Sequence, residues 1–523
     1  MAYPERIVVS GAGLAGLRTV VSLRERGYTG RITLLGAEQR APYDRPPLSK
    51  KVLTEGVDPS LEADFGMLDV YFRPGQEAVS LDASKRVVVA APGDTHHPFD
   101  SLVISTGATP VRLPGPGKQR FLRTYDDALA LRGLLGSAQS RSAQSRPTLR
   151  LAIVGAGWIG AELATAAAAA GAEVTVVEAG PTPLSAVFGA EIGSLFAPWY
   201  AEAGVTLRTG VAVESVEAGG LALAGGGWLP ADEVVTAVGV RPAVGWLTGS
   251  GLALDNGVTV DEGLRASLPG VYAAGDCASF SSGLFGTRLR VEHWDTALRA
   301  PEVAAANILG GSEVYDPVPY FWSEQFGRMV QYVGHHVPAD QLVWRGDPAE
   351  PKWTACWLAP PPAGGAADGT AGWAAVEGGR LTALLTVGRP RDMVQGRRLI
   401  ANRAVMDPAR LADPAVPVKD AGVLPRGVAG RGGLGRGRAV GGGVAARWSV
   451  RPPHSAPAGH IPHPRTSLSD FRMEFRPFRS FCPCGTSTTI GEWHQRWPTW
   501  RTAESRRVPV SPDSREPPGE RGR

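Results

Sequence analysis

The residues of this 523-residue chain best suited to chemistry are two glycine turns and a few charged side chains near them. The first turn holds Gly11, Gly13 and Gly16, with Leu14 and Ala15 between the last two. The second, 144 positions later, holds Gly155, Gly157 and Gly160 around Trp158 and Ile159. A GxGxxG spacing lets backbone amides approach a pyrophosphate at the positive end of a helix dipole. One such turn is a weak signal; two, each with a strand before it and a helix after it, point to two dinucleotide sites. Glu178, 23 positions after Gly155, stands where the second strand of its unit should end. A carboxylate there accepts hydrogen bonds from a free ribose diol and repels a 2′-phosphate, and Ala179, Gly180 and Pro181 supply no arginine for one. The second site is therefore expected to take NADH rather than NADPH. In the first unit the corresponding acid is Glu38, and the proline-stiffened stretch 41–50 adds the cations Arg45 and Lys50.

These groups need elements to hold them. Ile7–Val9, the first turn, an apolar-periodic stretch to Arg26 and Ile32–Leu35 read as strand, turn, helix, strand; Leu151–Val154, the second turn, a stretch to Ala170 and Glu173–Val177 repeat the pattern. Between the units the tandem SAQSR of 137–146 reads as a lengthened surface loop. Short strands are expected at Val234–Val238, just before Gly239, at 257–260 and within LPGVYAAGD (268–276), then a helix from Ala297 onward. From Tyr320 to about Val418 short strands and one helix read as a separate α+β domain. The fold class expected is α/β, with two Rossmann-like nucleotide-binding domains followed by that α+β domain. Glu162 falls in the first turn of the second unit's helix, where the dipole favours a negative group.

Composition narrows the class. A 43% hydrophobic, 20% charged chain with 67 glycines suits a globular α/β protein. The net charge of +4 is uneven: residues 421–523 hold 17 Arg, no Lys and 7 acids, a balance of +10, which leaves −6 on residues 1–420. The basic excess thus belongs to the tail and gives no reason to expect nucleic-acid or membrane binding by the body. Arg-, Gly- and Pro-rich and without apolar periodicity, the tail 421–523 is expected to be disordered. It is either a basic arm or a stretch read in the wrong frame of a GC-rich gene, and the absence of Lys favours the second. No leader or spanning segment is evident, and the four cysteines form no disulfide or zinc pattern, so a cytoplasmic protein with no metal is expected.

Several separate stretches, in order, resemble the FAD-dependent ferredoxin reductases of the putidaredoxin, rhodocoxin and biphenyl dioxygenase type, which also resemble apoptosis-inducing factor. They are APYDRPPLSK (41–50), STGA (105–108), LRT (122–124), YAAGD (272–276), VEHW (291–294) and PYFWSEQF (319–326), spread over roughly residues 5–420. The resemblance implies FAD contacts from Arg45, Lys50, Ala78, Thr106, Gly107, Arg123, Asp276 and Trp294, besides the first turn and Glu38, and an NADH contact from Gly239. It implies an FAD domain of 1–112 and 240–319, an NAD domain of 113–239 and an interface domain of 320–420. It also pairs Lys50 with Glu162 beside the flavin, as the catalytic pair. The sequence departs from the family at Ala37, where some members have the ribose acid, and at Ala186, where an arginine is usual.

The activity so implied is hydride transfer from NADH to FAD and single-electron delivery to a [2Fe-2S] ferredoxin serving an oxygenase, by a monomer or weak homodimer. Arg288, Arg290 and Arg328 are candidates for steering an acidic ferredoxin. No cysteine precedes Cys277, which excludes the dithiol relay of disulfide reductases. Cys277 itself is expected to be a small buried side chain. Two other readings stand beside this one: an NADH oxidase or nitrite-reductase flavoprotein, and an NADH-sensing scaffold like apoptosis-inducing factor.

Overall fold

The computed structural model describes residues 3–143, 148–360 and 378–423, so the tail expected over 421–523 lies outside the described residues except for its first three. The chain opens with β1 (Arg6–Ser10), α1 (Leu14–Glu25), β2 (Arg31–Gly36), β3 (Val70–Pro74) and β4 (Ser101–Ile104). The strands form a parallel sheet in the order 271–273, β4, β1, β2, β3. The strand Val271–Ala273 thus returns late in the chain to join the first sheet. Ile7, Val8, Val9, Ile32, Leu34, Leu102, Val103 and Ile104 are all 2% exposed or less, as expected of parallel strands covered on both faces.

The second unit follows with α2 (Tyr125–Ala143), β5 (Arg150–Val154), α3 (Trp158–Ala169), β6 (Glu173–Val177), α4 (Ser185–Ser194), β7 (Thr206–Arg208) and β8 (Glu233–Thr236). Its parallel sheet runs β7-β6-β5-β8. The first SAQSR copy is not a loop. It continues α2 with Ala138 packed inward, and the hydroxyls of Ser137 and Ser140 donate to the carbonyls of Leu134 (2.6 Å) and Gly136 (3.0 Å).

After α5 (Trp294–Ile308), which starts three residues before the expected Ala297, an antiparallel layer is built from β9 (Tyr320–Gln325), β10 (Arg328–Gly334), β11 (Gln341–Arg345), β12 (Trp353–Ala359) and β13 (Gly379–Val387). The order is β9-β10-β13-β12-β11, and α6 (Pro390–Ala401) packs on the sheet, Gly396 admitting Leu384 closely. Arg345, 2% exposed, ties this layer together through Asp392 (3.0 Å) and the carbonyls of Leu411, Asp413 and Pro414. The layer does not stop at residue 420. Ala421 is fully buried, Gly422 bridges to Met406, and Val423 donates its amide to Val405 (3.0 Å). Among the described residues no helix is long and apolar enough to cross a membrane.

Candidate active site

The two glycine turns share one backbone geometry. Gly11 and Gly155 have φ of +108° and +102°, a region that disfavours any side chain, and a Cβ there would strike the carbonyls of Ser105 and Ala237. A Cβ on Gly16 or Gly160 would lie 1.9 Å from the carbonyl oxygen of Gly11 or Gly155, so the third glycine sets how closely helix and strand approach. Gly13 and Gly157 differ in kind: each caps its helix at φ −80°, ψ −168°, with nothing within 4 Å of its would-be Cβ. Neither helix has a side-chain cap or an acid in its first turn. Two helix starts are left with free amides facing open space, which fits a pyrophosphate at each.

Around the second cradle, the Glu178 carboxylate accepts 2.7 Å hydrogen bonds from the amides of Ala156 and Gly180. It is therefore a fixed part of the turn and not a solvated strand-end charge. Trp158 sets its ring against Phe188 and Phe321, while Ile159 is 40% exposed at the helix start. Gly239 has φ +100°, and its carbonyl accepts from Val111 (3.0 Å).

Around the first cradle, Glu38 accepts from Arg45 (2.9 Å) and from the Tyr43 hydroxyl (2.6 Å), and Arg45 also donates to the carbonyl of Arg123. Burial pushes the Tyr43 phenol up, so the hydroxyl stays protonated and donates. Arg123 pairs with Asp276 at 2.9 Å, its guanidinium 3.2 Å from where a Cβ on Gly107 would stand. Thr106 donates to the carbonyl of Ala243 (2.7 Å), and Ala78 is buried on the strand Glu77–Asp82. Trp294 donates its indole N–H to Asp44 (2.9 Å) and meets Trp322 edge-on.

Lys50 and Glu162, 112 positions apart, form an ion pair of 2.8 Å with side chains 18% and 2% exposed. Glu162 is not a first-turn acid: with Gly157 as cap it sits one turn further along α3, buried, so the dipole does not account for it. Its partners do. Oε2 takes Lys50 Nζ and the Ser49 hydroxyl; Oε1 takes the Ser323 hydroxyl (2.6 Å) and the Glu324 amide (3.3 Å). One carboxylate thus joins the 41–50 stretch, the second unit and the C-terminal layer. Ser49 and Ser323 lie inside stretches that sequence reasoning had singled out, but serine is too common for its role to have been visible there.

The arginines expected to steer a partner also make contacts within the fold. Arg288 donates to the carbonyls of Val260 and Ser279, Arg290 binds Glu292 and the Asp276 carbonyl, and Arg328 binds Glu202 and lies over Trp199. Bonds to neutral carbonyls leave the Arg288 guanidinium charged, and its side chain is exposed. Cys277 is fully buried and its thiol is pushed up to about 11 by burial, which fits a packing role. His293, at the cap of α5, was not expected at the site; burial holds it down to about 4, and its Nδ1 has no protein partner.

The chain is similar to known proteins. Residues 5–300 match the family described as pyridine nucleotide-disulphide oxidoreductase, and residues 320–361 and 363–422 match the reductase C-terminal family. The chain is 33% identical to the 5,5′-dehydrodivanillate O-demethylase ferredoxin reductase subunit of a Sphingobium species, over 79% of this chain and 97% of that one. Among solved structures, that of Fdr9 is 47% identical, with a TM-score of 0.71 over 79% of this chain and 99% of its own. The covalent putidaredoxin reductase–putidaredoxin complex is 28% identical with a TM-score of 0.70, over 80% and 98%. With both cradles and the C-terminal layer inside the matched span, the chain belongs to the pyridine nucleotide-disulphide oxidoreductase family, in its ferredoxin reductase branch.

Proposed function

We propose that the chain is an FAD-dependent oxidoreductase that takes a hydride from NADH and hands electrons singly to a [2Fe-2S] ferredoxin serving an oxygenase. The observation that carries this reading is the pair of uncapped cradles with one backbone geometry, one per parallel sheet. In it, residues 1–112 and 240–319 hold FAD, 113–239 hold NADH, and the layer from 320 to 423 faces the ferredoxin. Relatives named as ferredoxin–NAD(+) reductase components of anthranilate and p-cumate dioxygenase systems support the assignment. A cytoplasmic monomer or weak dimer suits it.

FAD, when bound, accepts the hydride as an electron pair and releases the electrons one at a time. The protein's part is to bind and orient. Gly11, Gly13, Leu14, Ala15 and Gly16 cradle the FAD pyrophosphate, Glu38 takes the adenosine ribose, and Ala78 lines that side. Arg45, Thr106, Gly107, Arg123, Asp276 and Trp294 hold the rest of the cofactor, the Arg123–Asp276 pair opening its donors and acceptors to it. Gly155, Gly157, Trp158, Ile159, Gly160 and Gly239 receive the NADH pyrophosphate and nicotinamide arm, and Glu178 receives the ribose diol. Lys50, fixed by Glu162, supplies positive charge where negative charge accumulates as the hydride arrives.

The test is an anaerobic titration of the yellow protein with NADH, followed by cytochrome c reduction with and without an added [2Fe-2S] ferredoxin. Stoichiometric bleaching and ferredoxin-dependent turnover are expected. Rapid oxygen consumption without ferredoxin would make the protein an oxidase, and a long-lived reduced complex with slow turnover would make it a sensor.

A further inference from the structure

The C-terminal layer does more than cover the site. Ser323, fully buried on β9, donates to Glu162 Oε1 at 2.6 Å, and the Gln325 side-chain amide donates to Ser323 Oγ at 3.1 Å. With its own oxygen taken by Gln325, the serine hydroxyl has Glu162 as its acceptor. Two further bonds bring β9 onto the same face of α3, from the Glu324 amide to Glu162 (3.3 Å) and from the Phe326 amide to Thr165 Oγ1 (3.0 Å). The opposite oxygen, Oε2, belongs to Ser49 and Lys50. A carboxylate is planar, so donors that fix one oxygen also fix where the other points.

We propose that Ser323, backed by Gln325, is a positioning residue that sets the Glu162 carboxylate plane and, through it, the place of the Lys50 ammonium. The inference rests on the reading above, in which Lys50 stands beside the flavin. It makes the domain that meets the ferredoxin a working part of the hydride-accepting site. Without the Ser323 hydroxyl, Oε1 keeps only the longer bond to the Glu324 amide. The carboxylate then rotates, and Lys50, already 18% exposed, moves toward water.

The test uses full-length protein as purified, in the variants S323A, S323T and E162Q and the double variant S323A/E162Q. Competitive labelling with an amine reagent and peptide mass analysis compares Lys50 with the open Lys85, whose side chain is 78% exposed. Lys50 labelling should rise about threefold or more in S323A and return in S323T, as expected for losing a hydrogen bond to a charged group. In stopped flow, S323A should slow flavin reduction at saturating NADH about tenfold with the NADH dissociation constant unchanged, and should slow E162Q by no more than about twofold. If S323A does not fold, S323C, of similar volume but a weak donor, carries the same measurements. Unchanged Lys50 labelling, or an S323A effect that multiplies fully onto that of E162Q, overturns the proposal. If labelling responds as expected but NADH fails to reduce wild-type flavin, the positioning stands and the enzymatic reading falls.

Discussion

Replacing Glu162 by glutamine changes almost no volume and removes one charge, which makes it the sharpest probe of the site. The carboxylate now receives four donors: Ser49 Oγ, Lys50 Nζ, Ser323 Oγ and the Glu324 amide. A glutamine can turn its oxygen toward Lys50 and Ser49, but its NH2 then faces the Glu324 N–H, two donors with no acceptor between them. Turned the other way, the NH2 faces the Lys50 ammonium. Either pose strands a donor and leaves Lys50 without its counter-charge. Breaking a buried pair from one side costs roughly 3–5 kcal/mol, and a partner able to reach water lowers that, so about 2–4 kcal/mol is expected here. Lys50, at 18% exposure, is such a partner. Urea denaturation followed by tryptophan fluorescence should show a lower midpoint with an unchanged slope. Flavin reduction by NADH should slow roughly 10- to 100-fold, the order seen when one preorganised electrostatic contact is lost. A variant within about 0.5 kcal/mol of wild type, the scale of an ordinary surface substitution, and equally fast would refute the assignment of this pair to the reacting centre.

Other perturbations read other parts of the structure. G13A and G157A place a methyl in open space, so the denaturation midpoint should hold, while FAD retention falls in the first and NADH affinity, by calorimetry, falls in the second. G16A and G160A, whose Cβ would sit 1.9 Å from a carbonyl oxygen, should instead lose the fold of their unit, seen by limited proteolysis. E178Q gives up an acceptor for either the Ala156 or the Gly180 amide, so NADH affinity should fall about tenfold and discrimination against NADPH should narrow. His293 and His336 are both held down to about 4 by burial, hence neutral in the folded state and charged in the unfolded state below pH 6.5. Stability is therefore full above pH 6.5 and falls toward pH 4, with a limiting slope of about 1.4 kcal/mol per pH unit per histidine; H293N/H336N should flatten the pH dependence of the urea midpoint. A chain ending at Val423 keeps every described contact and should stay folded and yellow, whereas one ending at Asp420 loses buried Ala421 and the Met406–Gly422 bridge and should be measurably less stable.

What could be read in the sequence was local. A glycine turn is six consecutive residues between a strand and a helix, and its φ and the approach of its third glycine to its first lie inside that window, so both cradles were visible from spacing, though not the approach of Gly11 to Ser105 or of Gly155 to Ala237. Glu178 was visible from its place at the end of the unit's second strand, though its two backbone donors were not. Errors arose where tertiary context overrides a local rule. The SAQSR segment is polar enough for a loop, yet its serines bond back to helix carbonyls. That Arg290 and Arg328 pair with Glu292 and Glu202 was not visible either, because sequence does not say which acids a side chain meets after folding.

The Glu162 junction is the extreme case of that distinction. Its partners lie 113, 112 and 161 positions away, in segments from both sides of the second nucleotide unit. No local window holds two sides of it, and the resemblance supplied only the Lys50 half. A buried carboxylate with four donors is costly to assemble in a helix half of whose residues are alanine, and this one joins three segments of the chain. In the proposed reading the cradles hold the two dinucleotides and the junction fixes the Lys50 charge, so E162Q should spare binding at both cradles while it slows flavin reduction.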